Sequence, residues 1–135
     1  MSHPVGLPDL FVDRSLGRIR VPTLLRAAGL RLVTLAERYG IPNDESIEDV
    51  VWLVDAGRRG EAVFMKDDRV RYNQAEKRAV VQHQVRCFCL ARRDLSAQTM
   101  ARIFLDNLPA ITAACATDGP FIYVVRNTSI RNVDL

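Results

Sequence analysis

Along most of the chain, apolar residues fall into short runs separated by polar turns. Leu10–Phe11–Val12 is one such run, broken at Asp13–Arg14–Ser15 and again at Gly17; its length suits a short buried strand. Val21–Ala28 reads as a helix, with Pro22 in its first turn and Gly29 as its stop. Leu30–Leu35 then predicts a second strand, and a β-α-β unit of this length makes a right-handed crossover between parallel strands. Glu37–Ser46 reads as a polar connection, rich in Gly40, Pro42, Asn43, Asp44 and Glu45. Ile47, Val50, Val51 and Val54 recur at i, i+3, i+4 and i+7, which predicts a helix whose apolar face Trp52 and Leu53 widen and which Gly57 closes. Ala62–Met65 is a third strand.

The second half continues the rhythm. Asn73–Val81 is polar and helical, and Val85–Leu90 is a fourth strand. A long helix capped by Ser96 or Asp94 carries Met100, Ile103, Phe104, Leu108 and Ile111, and Pro109 either kinks or splits it. Asp118–Gly119–Pro120 is a turn, Phe121–Val125 a core strand, and Asn127–Thr128 leads into a short final strand or tail. Strands alternating with helices imply an α/β fold: a mainly parallel central sheet with helices on both faces. No linker or repeat divides residues 1–135, so one domain is expected.

Composition sharpens this only slightly. Hydrophobic residues are 48% and charged residues 26% of the chain, the balance of an ordinary folded domain. The net charge of +3 comes almost wholly from arginine, since Lys66 and Lys77 are the only lysines. Arginine suits phosphate recognition, although genomic base composition also raises its share. Cys87 and Cys89 would share one strand face and cannot easily bridge; with Cys115 they are expected to be buried thiols of a cytoplasmic protein. No apolar run approaches the ~20 residues of a membrane span, and the N-terminus shows no secretion signal, so no membrane partner is expected.

Two strand ends carry the chemistry. In Glu61–Tyr72, EAVFMKDDRVRY, an apolar run stops at Lys66–Asp67–Asp68, with Arg69 and Arg71 following. Asp13 ends the first strand in the same way. The carboxyl edge of a parallel sheet is where ligands bind, and buried carboxylates are costly without a cation. Converging hard oxygens there suit Mg2+ or Mn2+, which polarises a phosphoryl oxygen and supplies hydroxide near neutral pH. A plain polar turn at Asp67–Asp68 is the competing reading. A third acid should come from near the start of the Ile47–Ala56 helix, among Asp44, Glu45, Glu48 and Asp49. Asp49 also fits a capping box with Ser46, so cap and ligand stand level on pattern alone.

FVDRSLG, LLRAAG, an acid three residues before Trp52, AGRRG and KDDRVRY, in this order over roughly residues 9–81, resemble the PIN-like domain family. Within it, the resemblance is to the VapC toxins of bacterial toxin–antitoxin pairs. The resemblance implies a three-layer PIN-like fold and a metal-dependent ribonuclease. Asp13, Asp49 and Asp67 are then the catalytic metal ligands, with Asp68 a further metal ligand in place of the later acids that better-known members carry. It also implies a cognate antitoxin as protein partner and RNA as substrate. Arg14, Lys66, Arg69 and Arg71 flank the acids and are candidates to hold phosphates, with solvated surface charge as the competing reading. Asp94, Asp106 and Asp118 read as cap, solvated helix residue and turn residue.

His3 and His83 are isolated and expected at the surface, Ser15 has no local base, and no Walker or dinucleotide loop occurs. The alternatives are a non-catalytic PIN-like module binding RNA or a protein, and a receiver-type phosphoacceptor domain. The latter is disfavoured because Arg14 follows Asp13 directly and Lys66 adjoins Asp67. Whether the chain forms a homodimer stays open.

Overall fold

In the computed structural model, residues 2–66, 68–92 and 94–135 are described, without the side chains of Asp68 and Arg69. The elements in order are β1 (Leu10–Val12), α1 (Arg20–Ala27), β2 (Leu32–Thr34), α2 (Leu35–Tyr39), α3 (Asp49–Arg59), β3 (Ala62–Met65), α4 (Gln74–Gln82), β4 (Arg86–Leu90), α5 (Ala97–Asp106), α6 (Leu108–Ala114), β5 (Phe121–Val125) and β6 (Ile130–Val133). They build one sheet of order β2-β1-β3-β4-β5-β6. All neighbours are parallel except β6, which runs antiparallel to β5 at the edge.

The strands are apolar on both faces because both faces are covered. Leu10, Val12, Ala62, Phe64, Phe88, Leu90, Phe121 and Val125 point into one layer with α1, α5 and α6. Phe11, Val63, Met65, Cys87, Cys89, Ile122 and Val124 alternate into the other with α3 and α4. Phe104 of α5 stacks on Phe64 of β3 at 4.2 Å between ring centres; fully burying one such ring stabilises the fold by about 1.5–3 kcal/mol. The expected three-layer α/β architecture is present, and the cysteines are buried. The five parallel strands all end on one edge, β2 at Thr34 and β1, β3, β4 and β5 at Val12, Met65, Leu90 and Val125. That edge carries the candidate site.

Three local expectations need correction, and the alternative left open at Ser46–Asp49 is decided. The second strand does not span Leu30–Leu35: it stops at Thr34, whose side chain accepts from the Glu37 N–H at 3.1 Å while Glu37 accepts from the Thr34 N–H at 2.9 Å. That capping box starts α2 at Leu35, within the expected strand, and the helix runs on into what reads as a polar connection. Gly57 does not close its helix, which runs on to Arg59 with left-handed Gly60 as its cap. A Cβ at Gly57 would lie 2.5 Å from the His83 carbonyl oxygen, so this glycine serves close packing against the end of α4. The capping box at Ser46 and Asp49 does not form: Glu48 is the N-cap, without a side-chain hydrogen bond, and the Ser46 hydroxyl donates to the Asn43 carbonyl. Finally, His3 is half-buried rather than an isolated surface residue: its Nδ1 accepts from the Arg31 N–H at 2.9 Å and its Nε2 donates to the Leu7 carbonyl at 2.9 Å, tying the N-terminus down. At the point left open in the sequence, Ser96 rather than Asp94 caps α5, and the long helix splits at Asn107, with Pro109 in the first turn of α6.

Candidate active site at the carboxyl edge of the sheet

β1 delivers Asp13. Its N–H donates to the Phe64 carbonyl at 3.1 Å, extending the ladder with β3 by one residue. The side chain then caps the 3-10 turn Arg14–Leu16, accepting from the Ser15 N–H at a long 3.4 Å. Asp13 is only 4% exposed, and its Oδ1 has no hydrogen-bond partner among the described residues. Burial pushes its carboxyl above the usual 3.8, the Asp49 charge pushes the same way, and hydrogen bonds from Ser15 and Arg14 oppose both. A buried acceptor with no donor is unfavourable, and a cation would relieve it.

Asp49 opens α3, where the helix dipole favours a carboxylate. Its Oδ1 accepts from Trp52 Nε1 at 3.0 Å, and Arg14 Nη1 stands 3.6 Å away. Arg14 also donates to the Ile47 carbonyl, which holds it beside the helix start. Trp52 is fully buried and stacks on Phe11 at 5.3 Å, so the helix holding Asp49 leans on the strand delivering Asp13. The fold therefore brings Asp13 and Asp49 within electrostatic reach of each other.

The third strand end reaches the same place as far as it is described. The Lys66 N–H donates to Ser15 Oγ at 2.9 Å, which ties the end of β3 to the turn after Asp13. Asp67 lies outside the described residues, as do the side chains of Asp68 and Arg69. Arg71 lines a pocket of about 270 Å3 with Arg131, Asn132, Val133 and Asp134, its guanidinium 5.2 Å from the Tyr72 ring centre. Asp44 is held in a bidentate pair by Arg18 at 2.8 and 2.9 Å. Asp94 pairs with Arg92 and Asp118 with Arg86, while Asp106 is exposed at the end of α5.

A cavity of about 330 Å3 opens over Asp49, lined also by Arg14, Glu48, Val50, Asn73, Ala75 and Glu76. Glu76 lines this cavity, a position that the sequence reading passed over. It is 8% exposed although it lies in a polar stretch, and the only local signal is its place three residues after the Asn73 cap. Among the described residues, no three His, Cys, Asp or Glu side chains form a group that could hold a metal ion. What they present is the Asp13 and Asp49 carboxylates, the first with an orphaned oxygen, beside Arg14, with Glu48 and Glu76 lining the cavity over Asp49.

Residues 8–92 match the family described as PIN like domain, a span running from before β1 through β4. The chain is 41% identical over 127 residues to a Mycobacterium tuberculosis protein named "Putative ribonuclease VapC45", which covers 94% of this chain and 92% of that one. No solved structure matches the chain. No helix among the described residues is long and apolar enough to cross a membrane.

Proposed function

The chain belongs to the PIN-like domain family, and we propose that it is a metal-dependent endoribonuclease, the toxin of a toxin–antitoxin pair, working as one domain in the cytoplasm. The observation that carries this reading is the orphaned, buried Oδ1 of Asp13 beside Asp49. The relative named as a ribonuclease supports the substrate class.

Two hard carboxylate donors fit Mg2+ or Mn2+, which take few protein ligands and keep several waters. Asp13 and Asp49 would hold the ion, with Asp67 and Asp68 completing the set by the family resemblance. Such an ion supplies Lewis-acid polarisation of a phosphoryl oxygen and lowers the pKa of water. The chain's own residues do the rest. Trp52 fixes the rotation of the Asp49 carboxylate, and burial keeps Asp13 short of competing water donors. Arg14, held at the cavity wall, offers its fork to a substrate phosphate, with Lys66 and Arg69 as further cations on the β3 side. Arg71 serves a more distant phosphate. The cognate antitoxin acts by covering this edge.

The test is cleavage of labelled single-stranded RNA with Mg2+, Mn2+ or EDTA by wild type, Asp13→Asn and Asp49→Asn. Metal-dependent cleavage by the wild type, lost in both variants by at least about 100-fold, is expected; even an outer-shell metal partner is worth 10–100-fold. An inactive wild type with every metal overturns the nuclease reading. The non-catalytic RNA-binding module then takes its place, a reading favoured by the basic residues Arg92 and Arg126 just past the ends of β4 and β5.

A further inference from the structure

The carboxyl edge of the sheet changes character two strands from the acids. Past the ends of β4 and β5 lies a small cavity of about 130 Å3, lined by Leu90, Leu95, Ile103 and Val125 and opening between Arg92, Arg126 and Asn127. Leu90, Ile103 and Val125 are buried, so the floor is apolar. Arg126 and Asn127 are exposed, and the Arg92 side chain is 66% exposed. The rim is built rather than incidental. Asn107, buried at the break between α5 and α6, donates through Nδ2 to the Ile103 carbonyl at 2.8 Å and the Arg126 carbonyl at 2.7 Å. The break in the long helix thus anchors the turn that carries Arg126. Asp94 stands 3.6 Å from Arg92, and an exposed pair of this kind is weak enough to be exchanged for another anion.

An apolar floor under two guanidiniums suits a ligand with a flat apolar body and an attached anion. We propose that this cavity is a nucleotide subsite for the RNA strand, taking one base against Leu90, Leu95, Ile103 and Val125 and its phosphate on Arg92 and Arg126. The proposal rests on the nuclease reading above and extends it to where the substrate lies. β5 is three strands from β1, which at about 4.8 Å per step puts the subsite on the order of 14 Å from Asp13, within reach of the same short single strand. The RNA would then cross the carboxyl edge from the acids of β1 and α3 to the arginines of β4 and β5. An acidic protein segment is the competing occupant; the continuous edge shared with the acid pair favours RNA.

The experiment measures binding of a short labelled single-stranded RNA in EDTA as a function of salt, with thermal melts confirming that each variant folds. Arg92→Gln and Arg126→Gln should each weaken binding and lower the slope of log K against log[salt] by about 0.7, the value for one released phosphate contact on a single strand. Arg126→Lys should keep the slope. Ala91→Leu, which fills the cavity from its wall, should lower affinity roughly tenfold with the slope unchanged, the order of one lost base contact. All these variants should bind Mn2+ as the wild type does. Wild-type RNA binding and cleavage with unchanged affinity and slope in the arginine variants overturns the subsite alone and leaves the nuclease standing. A wild type that neither binds nor cleaves RNA overturns both. Arginine variants that lose affinity for a purified antitoxin but not for RNA make the cavity a protein-docking site and overturn the proposal.

Discussion

Asp49 Oδ1 accepts a hydrogen bond from Trp52 Nε1 at 3.0 Å, from a ring one turn further along the same helix. The same ring stacks on Phe11, one residue before the end of the strand that delivers Asp13. Trp52 therefore sets both the rotation of one carboxylate and its position against the strand of the other. Trp52→Phe keeps most of the ring and removes the donor. It should cost about 1–2 kcal/mol of stability, in line with a hydrogen bond to a charged group plus a small loss of packing. Affinity for Mn2+ should drop about 10–100-fold, as for other outer-shell partners. Metal titration with thermal melting checks both; unchanged Mn2+ affinity would confine the bond to starting the helix.

Asp13 and Asp44 should shape the pH dependence in opposite senses. Burial raises the Asp13 carboxyl above its ordinary 3.8. The folded state thus holds that proton more tightly than the unfolded one, and its stabilising contribution is complete below 3.8 and lost as pH rises through the folded value. Asp13→Asn should consequently raise the melting temperature of the metal-free protein at neutral pH, with the gain vanishing in acid. The hydrogen bond from Arg18 lowers Asp44 below 3.8, so its contribution is present above that value and lost as pH falls through the lower one. Asp44→Asn should lower the neutral melting temperature and converge on wild type in acid. Melts across pH decide; a lower neutral melting temperature for Asp13→Asn would mark Asp13 as structural.

Gly57→Ala should destabilise the protein although it sits within a helix. Alanine gains about 1 kcal/mol of helix propensity, but the new Cβ would stand 2.5 Å from the His83 carbonyl oxygen and 2.8 Å from its Cβ. Overpacking of this kind costs about 1–3 kcal/mol, and a backbone oxygen yields less readily than a side-chain tip. A net loss of about 1–2 kcal/mol in denaturant melts is expected.

The Arg38–Glu61 pair offers a control remote from the acids. Its two hydrogen bonds are 2.7 and 2.6 Å, both side chains are under a tenth exposed, and Arg38 lies 4.9 Å from the centre of the Phe11 ring. Glu61 precedes β3, at the sheet edge opposite the site. Glu61→Gln leaves a buried guanidinium without its counter-charge and should cost about 3 kcal/mol, most of it recovered in the double variant Arg38→Met, Glu61→Leu. Mn2+ affinity should be unaffected in either. A cost below about 1 kcal/mol would show that water still reaches the pair.

Much of this architecture was legible in the sequence because burial on two faces leaves a mark on composition. A strand such as Ala62–Met65 must be apolar at every position, and an acid directly after such a run must stand at the edge of the sheet; Asp13 could be placed there from its neighbours alone. The local ambiguities were of another kind. Thr34–Glu37 and Ser46–Asp49 carry the same capping pattern, yet only the first forms the box. The second loses because the Asp49 carboxylate turns to Trp52 and Arg14 instead. Glu76 shows the same limit: a polar residue is buried in the cavity lined by Asp49, through packing between segments distant in the chain. The orphaned oxygen of Asp13 belongs entirely to the tertiary structure. Whether a carboxylate oxygen is satisfied depends on which donors from other elements reach it, and no pattern of neighbours along the chain encodes a donor that is missing.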